Sequence, residues 1–268
     1  MTKVAILGAS GRMGRTLIGL VAAADDLQLV GATTRADSPS VGSDAGLLAG
    51  CGALDVTLTA SAEAALADAD VAIDFTLPAA LADNLTAARS RGCALVIGTT
   101  GVDADGIQAI DATARSLPVV FAANYSSGVT LLQRLVRTAA AALGSDYDVE
   151  IVEAHHRGKR DAPSGTARAL GQSVADGRGV DLEENAVYAR EGMTGERPVG
   201  AIGFQALRGG DIVGEHTVML AGEGERLELT HRAASRETFA RGALRAARWV
   251  ISQPPGRFDM DDVLGLSD

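Results

Sequence analysis

The first residues of the chain constrain its fold more than any other segment. Residues 4–7 (VAIL) form a continuous apolar run, which is typical of a parallel strand buried on both faces. A glycine turn follows at residues 8–14 (GASGRMG), and an apolar-periodic helix comes after it. This order can place a dinucleotide pyrophosphate at a helix N-terminus. The spacing is G-x-x-G-x-x-G rather than the usual G-x-G-x-x-G, so the turn alone also fits a connection without a nucleotide.

Strand and helix patterns continue to alternate along the first half. Strands are predicted at residues 27–33, 70–75, 94–97 and 119–122, with a helix at residues 79–91. Alternation on this scale implies a doubly wound parallel sheet with right-handed crossovers. We therefore predict an α/β fold with an N-terminal Rossmann-like domain at residues 1–126.

Ligands of such sheets bind beyond the carboxyl ends of the strands. The candidate cofactor-binding residues follow the predicted strands and are Gly8, Ala9, Ser10, Gly11, Arg12, Met13, Thr34, Arg35, Gly98, Thr99, Thr100, Ala122, Ala123, Asn124 and Tyr125. Residues 98–101 (GTTG) would by themselves fit a plain strand-to-helix turn. Their place on the same sheet edge as the glycine turn favours a contact with the nicotinamide.

The end of the second strand bears on the choice of cofactor. An acid there would bind the ribose 2′-hydroxyl of NAD, whereas arginine favours the 2′-phosphate of NADP. The sequence has Thr34 and Arg35, and the nearest acid is Asp37. Arg35 and Arg12 can form a phosphate clamp. We predict that NADPH binds more tightly than NADH, with NADH still possible.

The pattern changes after residue 126, and we predict an α+β substrate-binding domain at residues 127–235. Its predicted strands are residues 149–153, 201–207, 212–220 and 226–230, most of them in antiparallel pairs, and its predicted helices are residues 129–143 and 164–176. Residues 177–200 are polar and glycine-rich, and we expect a mobile, exposed loop. The helix at residues 237–251 begins a segment, residues 236–268, that we expect to return to the first domain.

A basic loop connects the strand at residues 149–153 to a helix start at residues 163–166 (PSGT), where Ser164 is the predicted N-cap. Five of the six residues from 155 to 160 are basic or titratable: His155, His156, Arg157, Lys159 and Arg160. Together with free N–H groups at the helix start they suit a small anion with more than one charge. A solvated basic loop is the alternative reading of the same charges.

Composition narrows the classes of partner. The net charge of −10 and the 3% content of aromatic residues disfavour nucleic-acid binding and binding to anionic membranes. We found no secretory signal and no apolar run of membrane-spanning length, so we expect a soluble, cytoplasmic protein. Cys51 and Cys93 are isolated, and His155 and His156 should point to opposite faces of an extended strand. We predict no metal site.

Residues 150–167 (EIVEAHHRGKRDAPSGTA) match, without a gap, the motif E-x-x-E-x-H-x-x-x-K-x-D-x-P-S-G-T-A. The chain thereby resembles the dihydrodipicolinate reductase family, and residues 209–217 (GGDIVGEHT) are a further matching block. The resemblance covers nearly the full length. Members of the family often carry an acid just before the arginine at the second strand, and this chain departs from that pattern.

The resemblance implies NAD(P)H-dependent reduction of a cyclic dicarboxylate in the diaminopimelate route to lysine, by a homotetramer built through its C-terminal domains. It implies that His155 is the proton donor and acceptor and that Lys159 is the second proton donor. His156, Gly165 and Thr166 are implied to bind the substrate carboxylates.

Two other functions remain compatible with parts of the sequence. Another nicotinamide-dependent reductase, such as an aspartate or homoserine dehydrogenase, would share the first half but should lack the block at residues 150–167. A non-enzymatic NADPH-binding regulator would keep the fold without the chemistry.

Arg157 and Arg160 are expected to be supporting or surface charges. We expect His216 to be a structural histidine bonded to a backbone carbonyl, and we assign no role to His231.

Overall fold

The computed structural model describes residues 1–267, which divide into two units. One unit comprises residues 1–127 together with the segment from residue 237 onward, and the other comprises residues 128–236. The chain thus leaves its first unit, forms the second and then returns to the first.

The first unit is built on a seven-stranded sheet. Its elements before the crossing are β1 (Thr2–Leu7), α1 (Arg12–Ala22), β2 (Leu27–Thr33), α2 (Ala45–Ala49), β3 (Leu58–Thr59), α3 (Ala62–Ala65), β4 (Val71–Asp74), α4 (Leu81–Arg91), β5 (Ala94–Ile97), α5 (Ala104–Ala114) and β6 (Pro118–Phe121). The predicted strands and the predicted helix are all present. The short elements α2, β3 and α3 had no clear sequence pattern and were not predicted.

The second unit begins with α6 (Ser127–Leu143), whose first residue lies at the boundary. Its further elements are β7 (Asp148–His155), α7 (Gly165–Arg178), α8 (Leu182–Asn185), β8 (Ala186–Val187), β9 (Ile202–Arg208), β10 (Gly214–Ala221) and β11 (Arg226–Ala233). The returning segment forms α9 (Glu237–Val250), β12 (Gly256–Phe258) and α10 (Met260–Leu264).

The strand order of the first sheet is β12-β6-β5-β4-β1-β2-β3, and every neighbouring pair is parallel. The chain moves outward from β1 through β2 to β3 and then restarts on the other side of β1 with β4. The order therefore reverses between β1 and β4, where ligands of doubly wound sheets bind. The predicted Rossmann-like fold is confirmed.

Alternate residues of β1 enter separate hydrophobic cores. Val4 and Ile6 belong to the core that also contains Leu17 of α1, whereas Ala5 and Leu7 belong to another. Burial on both faces explains why this strand reads as an uninterrupted apolar run.

The returning segment completes this unit. Helix α9 lies so close to the end of the first half that a Cβ on Gly242 would be 1.6 Å from the carbonyl oxygen of Tyr125. Strand β12 extends the sheet beside β6, and Arg248 donates two hydrogen bonds, of 2.6 and 2.8 Å, to the carboxylate of Asp26. The tail is thus a structural part of the dinucleotide fold.

The second unit contains a five-stranded sheet in the order β11-β10-β7-β9-β8. The pairs β11–β10 and β10–β7 are antiparallel, while β7–β9 and β9–β8 are parallel. The expectation of mainly antiparallel strands is therefore wrong for half of this sheet, because α7 and α8 carry the chain back so that β8 and β9 run in the direction of β7. Residues of α6 and α7, among them Val136 and Leu170, share the core of this unit with Ile151 and Phe204 of the sheet.

The expected mobile, exposed loop at residues 177–200 is wrong for its first part, whereas residues 188–200 are irregular and mostly exposed, as expected. Helix α7 continues to Arg178, α8 and β8 follow, and the segment after them is anchored to β7. Arg190 donates hydrogen bonds of 2.9 and 2.8 Å to the carboxylate of Glu150, and Arg197 donates another of 3.1 Å. Polar composition here reflects these ion pairs as well as exposure. Strand β10 also begins at Gly214, two residues later than predicted.

Candidate functional site

The glycine turn of the first unit has a shape that only small residues allow. Gly8 has a φ of +83°, and a Cβ there would lie 3.2 Å from the carbonyl oxygen of Phe75. A Cβ on Gly14 would lie 2.4 Å from the carbonyl oxygen of Gly8 and 2.6 Å from the Cα of Ala9. The N-cap residue of α1 is Gly11, which provides no side-chain cap. Helix α1 therefore presents its first N–H groups at the switch point, and this end of the sheet fits a dinucleotide pyrophosphate.

The end of β2 presents hydroxyl groups and arginine rather than an acid. The hydroxyl groups of Ser10 and Thr34 lie 2.6 Å apart, which ties the glycine turn to this strand. The side chain of Arg35 is 77% exposed and forms a 3.4 Å ion pair with the equally open Asp37. An exposed pair of this kind contributes little stability, so Arg35 can leave it for a ligand. Arg12 is exposed at the start of α1.

A buried carboxylate at the end of β4 organises the neighbouring part of this edge. Asp74 accepts hydrogen bonds from the backbone N–H and the hydroxyl of Thr76, at 2.8 and 2.6 Å, and from the side-chain amide of Asn84 at 2.8 Å. It also accepts a 3.3 Å hydrogen bond from the hydroxyl of Thr99. We did not single out Asp74 or Asn84 from the sequence. The sequence signal that could have identified Asp74 is an acidic residue at the end of a buried apolar strand.

The remaining predicted cofactor residues lie at the ends of β5 and β6. Gly98 is buried against the ring of Phe75, and Thr100 and Ala123 are exposed. Tyr125 is only 1% exposed, and its hydroxyl lies 2.9 and 3.1 Å from the carbonyl oxygens at the ends of two strands. Its ring is part of the core, so a cofactor contact by Tyr125 would have to come from its backbone. Ala122 is half-buried, and the side chain of Asn124 accepts a hydrogen bond from the N–H of residue 126.

In the second unit, strand alternation determines which side chains of β7 meet. Glu153 and His155 are two residues apart and share the buried face, while Glu150 lies on the other face with its arginine partners. The Nδ1 atom of His155 lies 2.7 Å from a carboxylate oxygen of Glu153. Opposite His155, β10 contributes Gly214, where a Cβ would lie 3.1 Å from His155 Nε2. The missing side chain leaves room beside the imidazole nitrogen that Glu153 does not bind.

Glu153 is the most highly connected acid of this unit. Its carboxylate is bound by both terminal nitrogens of Arg208, at 2.7 and 2.8 Å, and by the backbone N–H of Ser164 at 3.0 Å. Burial disfavours its charge, but the hydrogen bonds from Arg208, His155 and Ser164 outweigh burial and hold the pKa of Glu153 below its usual value. The group is therefore an ionised carboxylate at neutral pH.

The surroundings of His155 have opposing effects on its protonation. Burial is the largest effect and lowers the pKa of His155, and the nearby charges of Lys159 and Arg208 lower it further. Glu153 raises it through its hydrogen bond and its charge, without reversing the net shift. The net effect favours the neutral imidazole, which can accept a proton.

The expected backbone partner of His216 is wrong. Its Nε2 lies 3.0 Å from the hydroxyl of Ser164, and its Nδ1 is buried without a hydrogen-bond partner in the described chain. Its ring packs edge-on against His155, with centroids 5.1 Å apart. Burial, assisted by the nearby His155, lowers the pKa of His216 to about 4, so it is neutral at pH 7. Across β10 and β11 it is paired with His231.

The start of α7 has the geometry expected of an anion site. Ser164 is the N-cap, as predicted, and its hydroxyl accepts a 3.1 Å hydrogen bond from the N–H of Ala167. Gly165 is exposed at the first helical position, and a Cβ there would meet nothing within 4 Å. Thr166 is half-buried next to it. The end of the helix is open to a ligand.

The basic loop connects the end of β7 to the start of α7, so its predicted residues lie at that end of the second unit. Lys159 is largely buried and forms a 2.9 Å ion pair with Asp161. His156 is half-buried, whereas Arg157 and Arg160 are exposed. No group of three or more His, Cys, Asp or Glu side chains within residues 1–267 is arranged to hold a metal ion. In the same range, no helix combines the length and the apolar character needed to cross a bilayer.

Comparison with known proteins identifies the family. The model described as dihydrodipicolinate reductase, N-terminus, matches residues 2–125, and the model of the C-terminus matches residues 128–264. A protein from Alkalilimnicola ehrlichii named 4-hydroxy-tetrahydrodipicolinate reductase is 59% identical over 99% of both chains. One of the same name from Thiobacillus denitrificans is 56% identical over 98% of both.

Solved structures agree with this at the level of the fold. The dipicolinate-bound dihydrodipicolinate reductase from a Paenisporosarcina species aligns over 97% of both chains with a TM-score of 0.77 and 24% identity. An amine dehydrogenase from Mycobacterium smegmatis aligns over 97% of this chain and 95% of its own, with a TM-score of 0.61 and 17% identity. The two family models together cover nearly the whole sequence, as does each of the close relatives. The chain therefore belongs to the dihydrodipicolinate reductase family of oxidoreductases.

Proposed function

We propose that the chain catalyses the NAD(P)H-dependent reduction of 4-hydroxy-tetrahydrodipicolinate to tetrahydrodipicolinate, a step of lysine biosynthesis through diaminopimelate. The observation that supports this most is the arrangement at the end of β7. His155, whose imidazole is held by a buried carboxylate, ends β7. The loop that carries Lys159 follows, and it is followed by the open start of α7. The close relatives carry the name of this activity.

The proposed substrate determines the roles of these residues. A cyclic dicarboxylate loses water to give a C=C–C=N unit, and a nicotinamide cofactor held at the glycine turn would supply a hydride to its carbon end. The electron pair moves toward the ring nitrogen, and the resulting enamine takes up one proton. His155 holds that proton at Nε2. Only this one proton is consumed with the hydride, so Lys159, as the second donor, is the alternative source of it and stabilises negative charge as it develops. The N–H groups of Gly165 and Thr166, with His156, bind the carboxylates.

A coupled assay tests this function. Dihydrodipicolinate synthase supplies the unstable substrate in place, and the absorbance of NADPH reports its consumption. We expect turnover that depends on the synthase and is inhibited by pyridine-2,6-dicarboxylate. NADPH binding without turnover would instead indicate a non-enzymatic regulator. The family membership already disfavours an aspartate or homoserine dehydrogenase.

We further propose that NADPH is preferred over NADH. The Ser10–Thr34 hydroxyl pair and the exposed Arg35 and Arg12 suit a 2′-phosphate better than a 2′-hydroxyl group. In fluorescence titrations, Arg35→Gln should weaken NADPH binding by about tenfold or more, because a charge-assisted contact is lost, and should leave NADH binding nearly unchanged. Tighter binding of NADH than of NADPH by the wild-type protein would contradict the proposal.

The assembly and the compartment are proposed on the family resemblance. We propose a cytoplasmic homotetramer that is joined through the second unit. Light scattering after size exclusion, with the mass compared with 27.3 kDa per chain, tests the stoichiometry.

A further inference from the structure

We propose that Glu153 is a positioning residue that acts through His155, holding its imidazole with the proton on Nδ1 and with Nε2 directed at the reaction. The catalytic part of this inference, that the orientation of His155 matters for turnover, rests on the proposed function. Its structural part concerns only which nitrogen of His155 carries the proton, and that can be measured without turnover.

The proton assignment follows from the chemistry of the acceptor. An ionised carboxylate accepts hydrogen bonds and cannot donate them. Since His155 Nδ1 lies 2.7 Å from Glu153 Oε2, Nδ1 must carry the hydrogen of that contact. Neutral His155 then has its lone pair on Nε2, and the protonated form can release a proton only from Nε2 while the contact is kept. A free imidazole in water prefers the opposite neutral tautomer.

The other partners of Glu153 fix the carboxylate itself. Arg208 binds both oxygens, and its Nη2 also donates to the carbonyl oxygen of Asp161 at 2.7 Å. The N–H of Ser164 donates to Oε1. The carboxylate is 1% exposed and is held from β9 and from the start of α7 at once. Glu153 therefore links the orientation of His155 to the helix start proposed to bind the substrate.

The space around Nε2 agrees with this role. Gly214 faces it from β10 without a side chain, and His216 packs edge-on beside the ring. The titratable or charged groups around His155 are Glu153 on its own strand, His216 on β10, Arg208 on β9 and Lys159 on the loop. Only Glu153 among them is negative, so its removal leaves the imidazole among neutral and positive groups.

Glu150 provides a matched control on the same strand. Like Glu153, it is paired with arginine, in this case with Arg190 and Arg197. It lies on the opposite face of the strand and has no histidine partner. Replacing either glutamate removes one charge that is paired with arginine. Only Glu153→Gln removes the partner of His155.

The test combines nitrogen-15 NMR of the histidine rings with the pH dependence of turnover. The His155 signals are assigned with His155→Gln. In wild type, neutral His155 should carry its hydrogen on Nδ1. In Glu153→Gln it should move to Nε2, kcat should fall by about 100-fold or more, and the Kd of NADPH should stay unchanged. The alkaline limit of kcat/KM should also move to lower pH, because the group that favours protonated His155 has been removed.

Glu153→Asp covers the case in which Glu153→Gln does not fold. It keeps the charge, and the long side chain of Arg208 can follow the shorter carboxylate, whereas His155 is fixed on its strand. The same tautomer change and an intermediate loss of kcat are expected, while Glu150→Gln should alter neither. A His155 that keeps its hydrogen on Nδ1 in both Glu153 variants overturns the proposal. A tautomer change in a protein whose wild type lacks the reductase activity would overturn the proposed function and leave the positioning role standing.

Discussion

His155→Gln is expected to lower kcat by about 10³-fold, because it removes the proposed proton donor, and a group of this kind typically contributes 10²–10⁴-fold. Glutamine has nearly the size of histidine and can still accept or donate hydrogen bonds near Glu153, so the fold should persist. The Kd of NADPH, measured by fluorescence titration, should remain near the wild-type value, since the glycine turn belongs to the first unit.

Lys159→Ala should also lower kcat by about 10²-fold or more, since it removes the proposed second donor and a nearby positive charge. The chain offers a natural control, because its other lysine is Lys3, exposed at the start of β1. Lys3→Ala should keep wild-type turnover. If His155→Gln or Lys159→Ala instead loses NADPH affinity while keeping kcat, the role proposed for that residue is wrong.

Gly14→Ala is expected to weaken NADPH binding by at least about tenfold and to lower the melting temperature, because overpacking of this kind costs about 1–3 kcal/mol. The added methyl would lie 2.4 Å from the carbonyl oxygen of Gly8 and 2.6 Å from the Cα of Ala9, and backbone atoms cannot rotate away. Helix α1 must then move off the glycine turn, and its first N–H groups move with it. Titration with NADPH and thermal unfolding measure the two effects.

Gly19→Ala is the matched control in the same helix. A Cβ at this position meets nothing within 4 Å, and alanine favours a helix over glycine by about 1 kcal/mol. This variant should bind NADPH normally and melt no lower than wild type. Normal NADPH binding by Gly14→Ala would show that the close approach of α1 to the turn is not needed for the cofactor.

Local patterns were sufficient for much of the fold. The strand, glycine turn and α1 are encoded within the first 22 residues, and the N-cap at Ser164 is recognisable from its immediate neighbours. Features that depend on distant segments were not accessible in this way. The parallel pairing of β7 with β9 depends on where α7 and α8 carry the chain, and no short sequence window encodes it.

The same distinction applies to the candidate site. The basic loop and the helix start are contiguous in sequence, so they were found. Two contacts between distant residues were not found. Arg208, which binds Glu153, lies 55 residues from it, and His216, which contacts Ser164, lies 52 residues from that serine. The alternation of Glu153 and His155 on one strand face was visible in the sequence, but not the arginine that keeps the glutamate ionised.

The placement of α9 and β12 has a consequence for how the protein is made. Ala243 and Val250 of α9 lie in the same hydrophobic core as Val4 and Ile73, yet they are translated after the entire second unit. A nascent chain that has emerged only as far as β6 leaves the part of its apolar sheet face that α9 covers exposed. During synthesis, the later-encoded unit can therefore reach its native form before the earlier one does, and the nucleotide fold closes only when residues 237–264 leave the ribosome.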